Sequence, residues 1–313
     1  MAKSLVTGSS GFIAGHLIKS LLECGDEVLA IDSKVPTDNL EKLLDQYQDK
    51  LKIVQGDLAY KSICMEAAED IETIFHMAAE TNLKKSVEFP QEAICDDLIS
   101  TINILEAARE YHVPRVVLSS SAAIYGKYDE KPLSPYGVNK RACEMYGDVY
   151  NKLHGLSVVS LRYFNVYGPG QMNLQAVIPQ FILKLLNAEK AVVYGDGSRS
   201  RDFIYVDDVV HANLFMADRP EVGQFDIGTG KSTTILELIK VLGRVTETRL
   251  NFYFDKVSEW DIPYSCSNID KIKQLGWEPE WNLEKGLNET VKFYEEFIED
   301  GVEVPSRSSS ATL

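Results

Sequence analysis

The sequence has little positive charge for its length. Its 313 residues include 32 Lys and Arg against 47 Asp and Glu, a formal net charge of −15. Nucleic acid and acidic membrane surfaces bind basic patches, so this balance argues against both as partners. An anionic ligand would have to be held locally, by a few Arg side chains or by helix N-termini.

Long apolar runs and paired cysteine motifs are also missing. No apolar run approaches the roughly 18–20 residues of a membrane span. The strand that follows Met1-Ala2-Lys3 is too short for a signal peptide. The five cysteines show no C-x-x-C spacing: Cys24, Cys64, Cys95, Cys143 and Cys266. We therefore expect reduced thiols, no metal site and a cytoplasmic protein.

The first half of the chain alternates short apolar segments with amphipathic helical patterns. Strands are predicted near residues 4–6, 27–31, 51–54, 73–75, 115–118 and 158–161. The clearest helices are predicted at about 11–24, 91–111 and 135–153. Continuous apolar strands separated by such helices indicate a parallel sheet covered on both faces. The predicted fold is a doubly wound α/β (Rossmann) domain.

The pattern changes after Gly168-Pro169-Gly170. Shorter segments rich in Gly, Pro and aromatic residues follow, which indicates a smaller α/β substrate domain. We expect a cofactor domain over 1–170, with returning segments near 203–230, and an interleaved substrate domain over 171–304. The Ser-rich residues 305–313 are expected to form a flexible tail.

A glycine-containing segment, residues 7–14 (TGSSGFIA), follows the first predicted strand and opens the first helix. Gly8 and Gly11 let the backbone turn tightly and approach a pyrophosphate on the helix N-terminus. A glycine pair also marks ordinary turns, but here the strand, the helix and a downstream acid are all present. The segment predicts a dinucleotide site that includes Gly8, Ser10, Gly11, Phe12 and Ile13.

Asp32 ends the second predicted strand, about 20 residues after the glycine loop. A carboxylate there accepts hydrogen bonds from the ribose hydroxyls of NAD and repels the 2′-phosphate of NADP. The alternative is a solvated loop residue. Asp57 and Leu58 follow the third strand and are predicted to contact the adenine. The expected cofactor is NAD.

Two segments carry candidate catalytic side chains: residues 119–126 (SSSAAIYG) and 134–140 (SPYGVNK). Tyr136 and Lys140 are four residues apart and lie on one face of a helix. The ammonium of Lys140 favours the phenolate of Tyr136, a usable general base for a sugar hydroxyl that Ser121 would orient. Y-x-x-x-K alone is usually a solvated helix face. Here the motif follows a dinucleotide loop and a serine-rich strand end in the sequence, and this combination predicts that Tyr136 and Lys140 are catalytic.

From residue 3 to about 297, the sequence resembles the extended short-chain dehydrogenase/reductase family, in its nucleotide-sugar epimerase/dehydratase branch. Besides the glycine loop and Tyr136/Lys140, the resemblance rests on four further motifs: residues 75–79 (FHMAA), 162–170 (RYFNVYGPG), 195–203 (GDGSRSRDF) and 275–279 (LGWEP).

The resemblance implies further site residues. It places Ala78 at the cofactor and a nucleotide-sugar substrate against Ser121, Asn165, Val177, Val193, Tyr194, Arg201 and Ser265. Arg201 would hold the diphosphate, although a salt bridge to Asp202 or Asp208 is the alternative. The resemblance also implies a homodimer through the helices near 92–111 and 135–153, and it makes Trp277 a core residue.

The sequence departs from the family pattern at four places. Ser258 replaces a second diphosphate Arg found in many members, and Lys256 is a candidate to compensate. Asp97 replaces a frequent Asn. Ala176 stands where some relatives place an Asn on the substrate. The connection from Tyr125 to Tyr136 is short.

Ala122 and Ala123 argue against dehydration and decarboxylation as the reaction. In related dehydratases an Asp-Glu pair follows the catalytic hydroxyl residue, and UDP-glucuronate decarboxylases carry a Glu two residues after it. Alanines transfer no protons, so the resemblance implies 4-epimerisation, with transient oxidation at C4 by NAD and return of the hydride to the other face. The alternatives are a 4-ketoreductase or another nucleotide-sugar oxidoreductase, and a non-catalytic NAD-binding regulator.

The sugar is predicted from one position. In 4-epimerases of this family, the residue four after the Asp that corresponds to Asp261 limits the space beside C2. Here it is the small Ser265. Together with the segment 176–179 (AVIP), it predicts interconversion of UDP-GlcNAc and UDP-GalNAc, UDP-Glc and UDP-Gal, or both pairs. The alternative is that Tyr264 turns inward and fills the space.

Overall fold

The computed structural model describes residues 2–126, 131–173, 176–257 and 262–299. Ser258, Asp261 and the predicted tail at 305–313 lie outside these residues, as does part of the connection between Tyr125 and Tyr136.

Short strands of mostly buried residues run through the whole described chain. They are β1 Lys3–Thr7, β2 Glu27–Asp32, β3 Leu51–Gln55, β4 Thr73–His76, β5 Arg115–Ser121, β6 Val158–Tyr163, β7 Asn165–Tyr167, β8 Ala191–Tyr194, β9 Ser200–Arg201, β10 Phe203–Tyr205, β11 Gly223–Ile227, β12 Thr233–Thr234 and β13 Phe252–Asp255.

Helices connect these strands. They are α1 Phe12–Glu23, α2 Asp38–Gln46, α3 Lys61–Ala68, α4 Leu83–Glu88, α5 Pro90–Ile94, α6 Ser100–Glu110, α7 Pro135–His154, α8 Val177–Leu186, α9 Val206–Ala217, α10 Ile235–Val245, α11 Asp270–Lys273 and α12 Leu283–Glu299. A π-helical turn, Cys95–Ile99, separates α5 from α6, and a 3₁₀ turn, Ala122–Ile124, follows β5.

Seven of the described strands form one parallel sheet in the order β11-β6-β5-β4-β1-β2-β3. The predicted doubly wound α/β fold is confirmed. The strand order reverses at β1, between β4 and β2, and a crevice opens there at the carboxyl ends of the strands. The segments after β1, β2, β4 and β5 therefore meet at one edge of the sheet.

Two hydrophobic clusters cover the two faces of this sheet. One includes Leu17 of α1 and Val209 of α9, and the other includes Ile104 of α6 and Tyr150 of α7. Trp277 is fully buried in the first cluster, as predicted.

A third cluster, whose buried residues lie between 167 and 294, joins α8, α10 and α12, and Phe12 of α1 packs against it. Two-stranded sheets, β10-β7, β12-β9 and β13-β8, accompany it. The division near residue 170 stays a prediction. None of the described helices is long and apolar enough to cross a membrane.

The helix predicted over 91–111 is interrupted by the π-helical turn at Cys95–Ile99. Asp97 lies in this turn, and its side chain is fully buried. The sequence does not show this turn, because its residues have no unusual helix propensity.

Candidate active site

A cleft of about 1360 Å³ opens at the carboxyl ends of β1, β2, β4 and β5. Most of the predicted site residues line it: Gly8, Ser10, Gly11, Phe12, Ile13, Asp32, Asp57, Leu58, Ala78, Ser121, Tyr136, Lys140, Asn165, Tyr194, Arg201 and Ser265. Residues distant in the sequence are thus brought to one cavity.

Val177 and Val193 do not line this cleft. The side chain of Val193 is buried in the third hydrophobic cluster, and Val177, at the start of α8, packs against the same cluster. Adjacent residues of a strand face opposite ways, so Tyr194 lines the cleft while Val193 faces the core.

The glycine loop has no room for side chains. Gly8 has a φ of +65°, and a β-carbon there would lie 2.7 Å from the Ala78 Cα atom. A β-carbon on Gly11 would lie 2.9 Å from the Gly8 carbonyl oxygen. Gly11 is also the N-cap of α1 and places no side chain over its first amides. The loop therefore fits a pyrophosphate bound on a helix N-terminus.

Asp32 connects the glycine loop to the end of β2. Its carboxylate accepts hydrogen bonds from the Ser10 amide at 3.0 Å and from the Lys34 amide at 2.9 Å. These contacts fix the carboxylate at the cleft, and each oxygen keeps a lone pair for a ribose hydroxyl.

A buried imidazole supports the same loop. The Thr101 hydroxyl donates to the Asp97 carbonyl, so it accepts from His76 Nε2–H at 3.1 Å. His76 Nδ1 then accepts from the Thr7 hydroxyl at 2.8 Å. The Thr7 oxygen itself accepts from the amides of Met77 and Ala78. Burial, with a smaller effect from Lys140, lowers the pKa of His76 to about 3.

Tyr136 and Lys140 are held at the start of α7. The Ser134 hydroxyl caps the helix by accepting from the Gly137 amide at 3.2 Å, and Pro135 occupies the first turn. Lys140 Nζ donates to the Ser119 carbonyl at 2.8 Å and lies 5.9 Å from the centre of the Tyr136 ring. Both side chains are more than 90% buried, which strengthens their electrostatic interaction.

Ser121 ends β5 beside them. Its hydroxyl oxygen accepts from the Ala123 amide at 3.1 Å and caps the 3₁₀ turn. Within the described residues its hydroxyl hydrogen has no acceptor, so it can donate to a substrate oxygen. Ala122 and Ala123 also line the cleft and supply no proton-transfer group.

A buried ionic network behind Ser121 was not predicted. Arg162 donates to both oxygens of Glu144, at 2.8 and 2.9 Å, and to the Tyr125 hydroxyl at 2.7 Å. Ser120 also donates to Glu144, and Tyr125 donates to Asp226. The network ties the end of β5 to α7, β6 and β11. The sequence does hold one signal for this network: Glu144 is four residues after Lys140, which places its carboxylate on the same face of the helix.

The substrate side of the cleft is built from the later segments. Asn165 and Arg201 lie on β7 and β9, and Ser265 follows at the same wall. Arg201 Nη1 donates to the Ser200 carbonyl at 2.8 Å, and the Ser265 amide donates to the same carbonyl at 3.1 Å. Tyr264 is 61% exposed and does not line the cleft, so it does not fill the space beside Ser265.

The two carboxylates considered as partners of Arg201 bind backbone amides. Asp202 accepts from the amides of Thr229, Gly230 and Ser267. Asp208 accepts from the amides of Glu280 and Trp281. In the described ranges, no group of three or more His, Cys, Asp or Glu side chains could hold a metal ion.

Comparison with known proteins identifies the family of this chain. The family model for the NAD dependent epimerase/dehydratase family matches residues 4–228. The chain belongs to this family. A putative UDP-glucose 4-epimerase of Methanocaldococcus jannaschii is 35% identical over 303 residues, which cover 92% of this chain and 97% of that protein.

Two solved epimerase structures are similar over nearly their whole length. One is a UDP-N-acetylglucosamine 4-epimerase from Methanobrevibacter ruminantium M1 in complex with UDP-N-acetylmuramic acid, with a TM-score of 0.89 and 31% identity, covering 94% of this chain and 98% of that one. The other is a UDP-glucose 4-epimerase from Thermotoga maritima with UDP-glucose, with a TM-score of 0.88 and 31% identity, covering 95% and 99%. The resemblance inferred from the motifs is confirmed, and NAD is the cofactor of this epimerase family.

Proposed function

We propose that the protein is a UDP-sugar 4-epimerase that accepts N-acetylhexosamines. The observation that carries the proposal is the placement of Ser121, Tyr136 and Lys140 in one cleft with a dinucleotide loop, next to Ala122 and Ala123. This set offers one base, one orienting hydroxyl and a site for a hydride acceptor. It offers no acid–base pair directly after Ser121, where a dehydratase of the family needs one.

The residues of the cleft fit NAD. Gly8 and Gly11 leave room for the pyrophosphate, and Asp32 would accept hydrogen bonds from the adenosine ribose. Asp57 and Leu58 would border the adenine, and Ala78, which lies against Gly8, also lines the cleft. When bound, NAD would supply the acceptor for the hydride that leaves C4 of the sugar, and the hydride would return to C4 within the same turnover.

Tyr136, Lys140 and Ser121 would transfer the proton and hold the oxygen on C4. Tyr136 removes the proton from the 4-hydroxyl and returns it when the sugar is reduced again. The Lys140 ammonium stabilises the phenolate of Tyr136, and the Ser121 hydroxyl donates to the oxygen on C4. Because the proton and the hydride both return to the sugar, the reaction needs no added cofactor.

The later segments would hold the nucleotide. We assign the diphosphate to Arg201, whose planar fork suits phosphate oxygens, and a sugar or phosphate contact to Asn165. Tyr194 would border the base. Ser265 leaves space beside C2 of the hexose, and the outward position of Tyr264 keeps that space open. The similarity to a UDP-N-acetylglucosamine 4-epimerase supports this assignment.

A substrate panel tests the proposal. Purified protein without added cofactor is incubated with UDP-GlcNAc, UDP-glucose, UDP-glucuronate and dTDP-glucose, and the product sugars are identified by NMR. We expect UDP-GalNAc from UDP-GlcNAc. Turnover of UDP-glucose with rejection of UDP-GlcNAc contradicts the assignment of Ser265, and turnover of only a uronic acid or a non-UDP sugar contradicts the substrate class. Strict dependence on added NADH would identify a ketoreductase instead.

Ser265→Tyr tests the space beside C2 directly. The larger side chain overpacks only against the N-acetyl group, so the variant should lose UDP-GlcNAc and keep UDP-glucose. Tyr264→Ser is the matched control, because Tyr264 is exposed and outside the cleft. This control should leave the ratio of the two activities unchanged.

We further propose that the protein forms a homodimer through α7. Four apolar side chains on this helix are at least 47% exposed: Val138, Met145, Val149 and Leu153. Their spacing of seven, four and four residues places them on one face, as in a helix that packs against another. Sedimentation velocity should show a dimer for the wild type and a monomer for Met145→Arg/Val149→Asp. A monomeric wild type would exclude this assembly.

A further inference from the structure

Asp97 is a fully buried carboxylate that the proposed mechanism does not use. It lies on the π-helical turn Cys95–Ile99, which contacts α7, the helix that carries Tyr136 and Lys140. Charged groups are rarely buried unless hydrogen bonds or opposite charges compensate for the lost hydration. Its contacts therefore indicate what holds the charge in place.

Each oxygen of Asp97 binds a different part of the active site. Oδ1 accepts from the Glu80 amide at 2.9 Å, and Glu80 lines the cleft after β4. Oδ2 accepts from Asn139 Nδ2 at 3.0 Å, and Asn139 directly precedes Lys140 on α7. One carboxylate thus links the cleft wall beyond Ala78 to the helix that carries the catalytic pair.

The backbone of the π turn strengthens this link. The Asp97 carbonyl accepts from the Thr101 hydroxyl at 2.6 Å and from the Cys143 thiol at 3.5 Å. Cys143 lies on α7, and Thr101 contacts His76 below the glycine loop. The same residue therefore touches α7 through both its side chain and its main chain.

The charges around Asp97 have both signs. Lys140 on α7 attracts the carboxylate, and Glu80, itself bound to Lys85, repels it. Burial raises the pKa of Asp97, whereas Lys140, Asn139 and the Glu80 amide oppose the rise. Asp96, the neighbouring carboxylate, lines the cleft and lies near Lys85 and Glu80.

We propose, as an extension of the proposed epimerase function, that Asp97 is a positioning residue for catalysis. By holding Asn139 and the Glu80 amide together, it fixes the distance between the cleft wall and the face of α7 that carries Tyr136 and Lys140. Small displacements of catalytic groups cost large factors in rate while leaving substrate binding at the far end of the cleft intact.

Asp97→Asn tests this role with an almost isosteric change. The amide has only one acceptor oxygen, so while it keeps the bond from the Glu80 amide its NH₂ group faces Asn139, and the charge that attracts Lys140 is lost. We expect kcat per NAD-loaded site to fall about tenfold or more while KM for the UDP-sugar stays within about threefold. A kcat within about twofold of wild type would overturn the proposal.

Asp208→Asn is the matched control. Asp208 is also a buried carboxylate that accepts from two donors, the amides of Glu280 and Trp281, but it lies outside the cleft. This variant should lower Tm and leave kcat within about twofold of wild type. An equal loss of kcat in both variants would show that any buried carboxylate has this effect and would overturn the specific role of Asp97.

The exchanged pair Asp97→Asn/Asn139→Asp covers the case in which Asp97→Asn does not fold. The amide introduced at position 97 can accept from the Glu80 amide and donate to the carboxylate introduced at position 139, so both hydrogen bonds are kept. The exchanged pair should fold and retain kcat within about fivefold of wild type. Folded, NAD-loaded protein with a loss of more than about tenfold would overturn the proposal.

Hydrogen–deuterium exchange separates this inference from the proposed function. The Glu80 amide is protected by Asp97, so a peptide covering residues 77–88 should exchange faster in Asp97→Asn than in wild type or Asp208→Asn. If wild-type protein epimerises no UDP-sugar, the proposed function fails while this measurement still applies. Unchanged exchange in Asp97→Asn would overturn the link between Asp97 and the cleft wall.

Discussion

Gly137 lies directly against the carbonyl oxygen of Ala123: a β-carbon on residue 137 would be 2.3 Å from that oxygen. The start of α7 and the 3₁₀ turn after Ser121 therefore leave no space for a side chain between them. This contact fixes Tyr136, the neighbour of Gly137, relative to Ser121.

Gly137→Ala should push the 3₁₀ turn away from α7. Overpacking of this kind typically costs about 1–3 kcal/mol of stability, and displacement of Ser121 from Tyr136 should lower kcat by about tenfold or more. Urea unfolding and steady-state kinetics measure the two effects. Gly15→Ala is the control, because a β-carbon there meets nothing within 4 Å. Wild-type kcat in Gly137→Ala would show that the contact is not needed for catalysis.

Tyr136→Phe should keep the fold and NAD binding and lose on the order of 10²-fold or more in kcat, the usual scale for a general base. The bound cofactor is quantified after denaturation, and turnover is measured with UDP-GlcNAc and UDP-glucose. Tyr146→Phe, an exposed tyrosine on the same helix, is the control. Activity of Tyr136→Phe within about threefold of wild type would exclude Tyr136 as the base.

Asp32→Ala should relax the preference for NAD over NADP. The carboxylate that binds ribose hydroxyls also repels a 2′-phosphate, so its removal weakens NAD and admits NADP. Calorimetric titration of cofactor-free protein gives both affinities. Asp38→Ala, an exposed carboxylate in the first turn of α2, is the control. Equal affinity of the wild type for the two cofactors would contradict this role of Asp32.

Arg201→Ala should weaken substrate binding by roughly 2–3 kcal/mol, the scale of a charge-assisted hydrogen bond that is lost with its charge. The dissociation constants of UDP and UDP-GlcNAc, measured on the NAD-loaded protein, should rise together because both contain the diphosphate. Arg244→Ala, which removes an exposed ion pair with Glu284, should change neither. An unchanged dissociation constant in Arg201→Ala would mean that the guanidinium has a structural role.

His76 should make the protein less stable in mild acid. Its pKa is about 3 in the folded state and about 6.5 in an unfolded chain. Below pH 6.5 the unfolded state therefore binds a proton that the folded state does not. The free energy of unfolding should fall by about 1.4 kcal/mol per pH unit from this residue, or about 2 kcal/mol at pH 5.

Urea unfolding at pH 7, 6 and 5 checks this dependence. In His76→Gln the free energy of unfolding should fall less steeply with decreasing pH than in wild type, because one proton fewer is bound on unfolding. This difference in slope does not depend on the stability of the variant at pH 7. His211→Asn changes an exposed histidine and should decline as the wild type does. Equal slopes for wild type and His76→Gln would show that His76 does not titrate on unfolding.

The sequence predicts the cofactor half of the molecule well because its signals are local. Gly8 and Gly11 follow β1, Asp32 ends β2, and parallel strands bring their ends to one edge. Tyr136 and Lys140 are similarly placed by the period of a helix.

Features that depend on tertiary packing were not predicted. The bidentate contact between Glu144 and Arg162 joins a helix to a strand, and nothing in either local pattern pairs them. Val193 was expected at the substrate because its segment matches the family, but the orientation of β8 against its core turns it inward. Asp97 is buried in a π turn that the residue types of this segment do not specify.

The main sheet is completed by a late part of the chain. Strand β11 pairs with β6 across some sixty intervening residues, and α9 covers the sheet next to α1. Arg115, at the start of β5, donates to the carbonyls of Met216 and Glu221 beside this late segment. During synthesis on the ribosome, the β6 edge of the sheet therefore stays unpaired, and the apolar face under α9 stays uncovered, until residues 206–227 have emerged. During synthesis, the cofactor-binding half is exposed to aggregation for as long as that segment is missing.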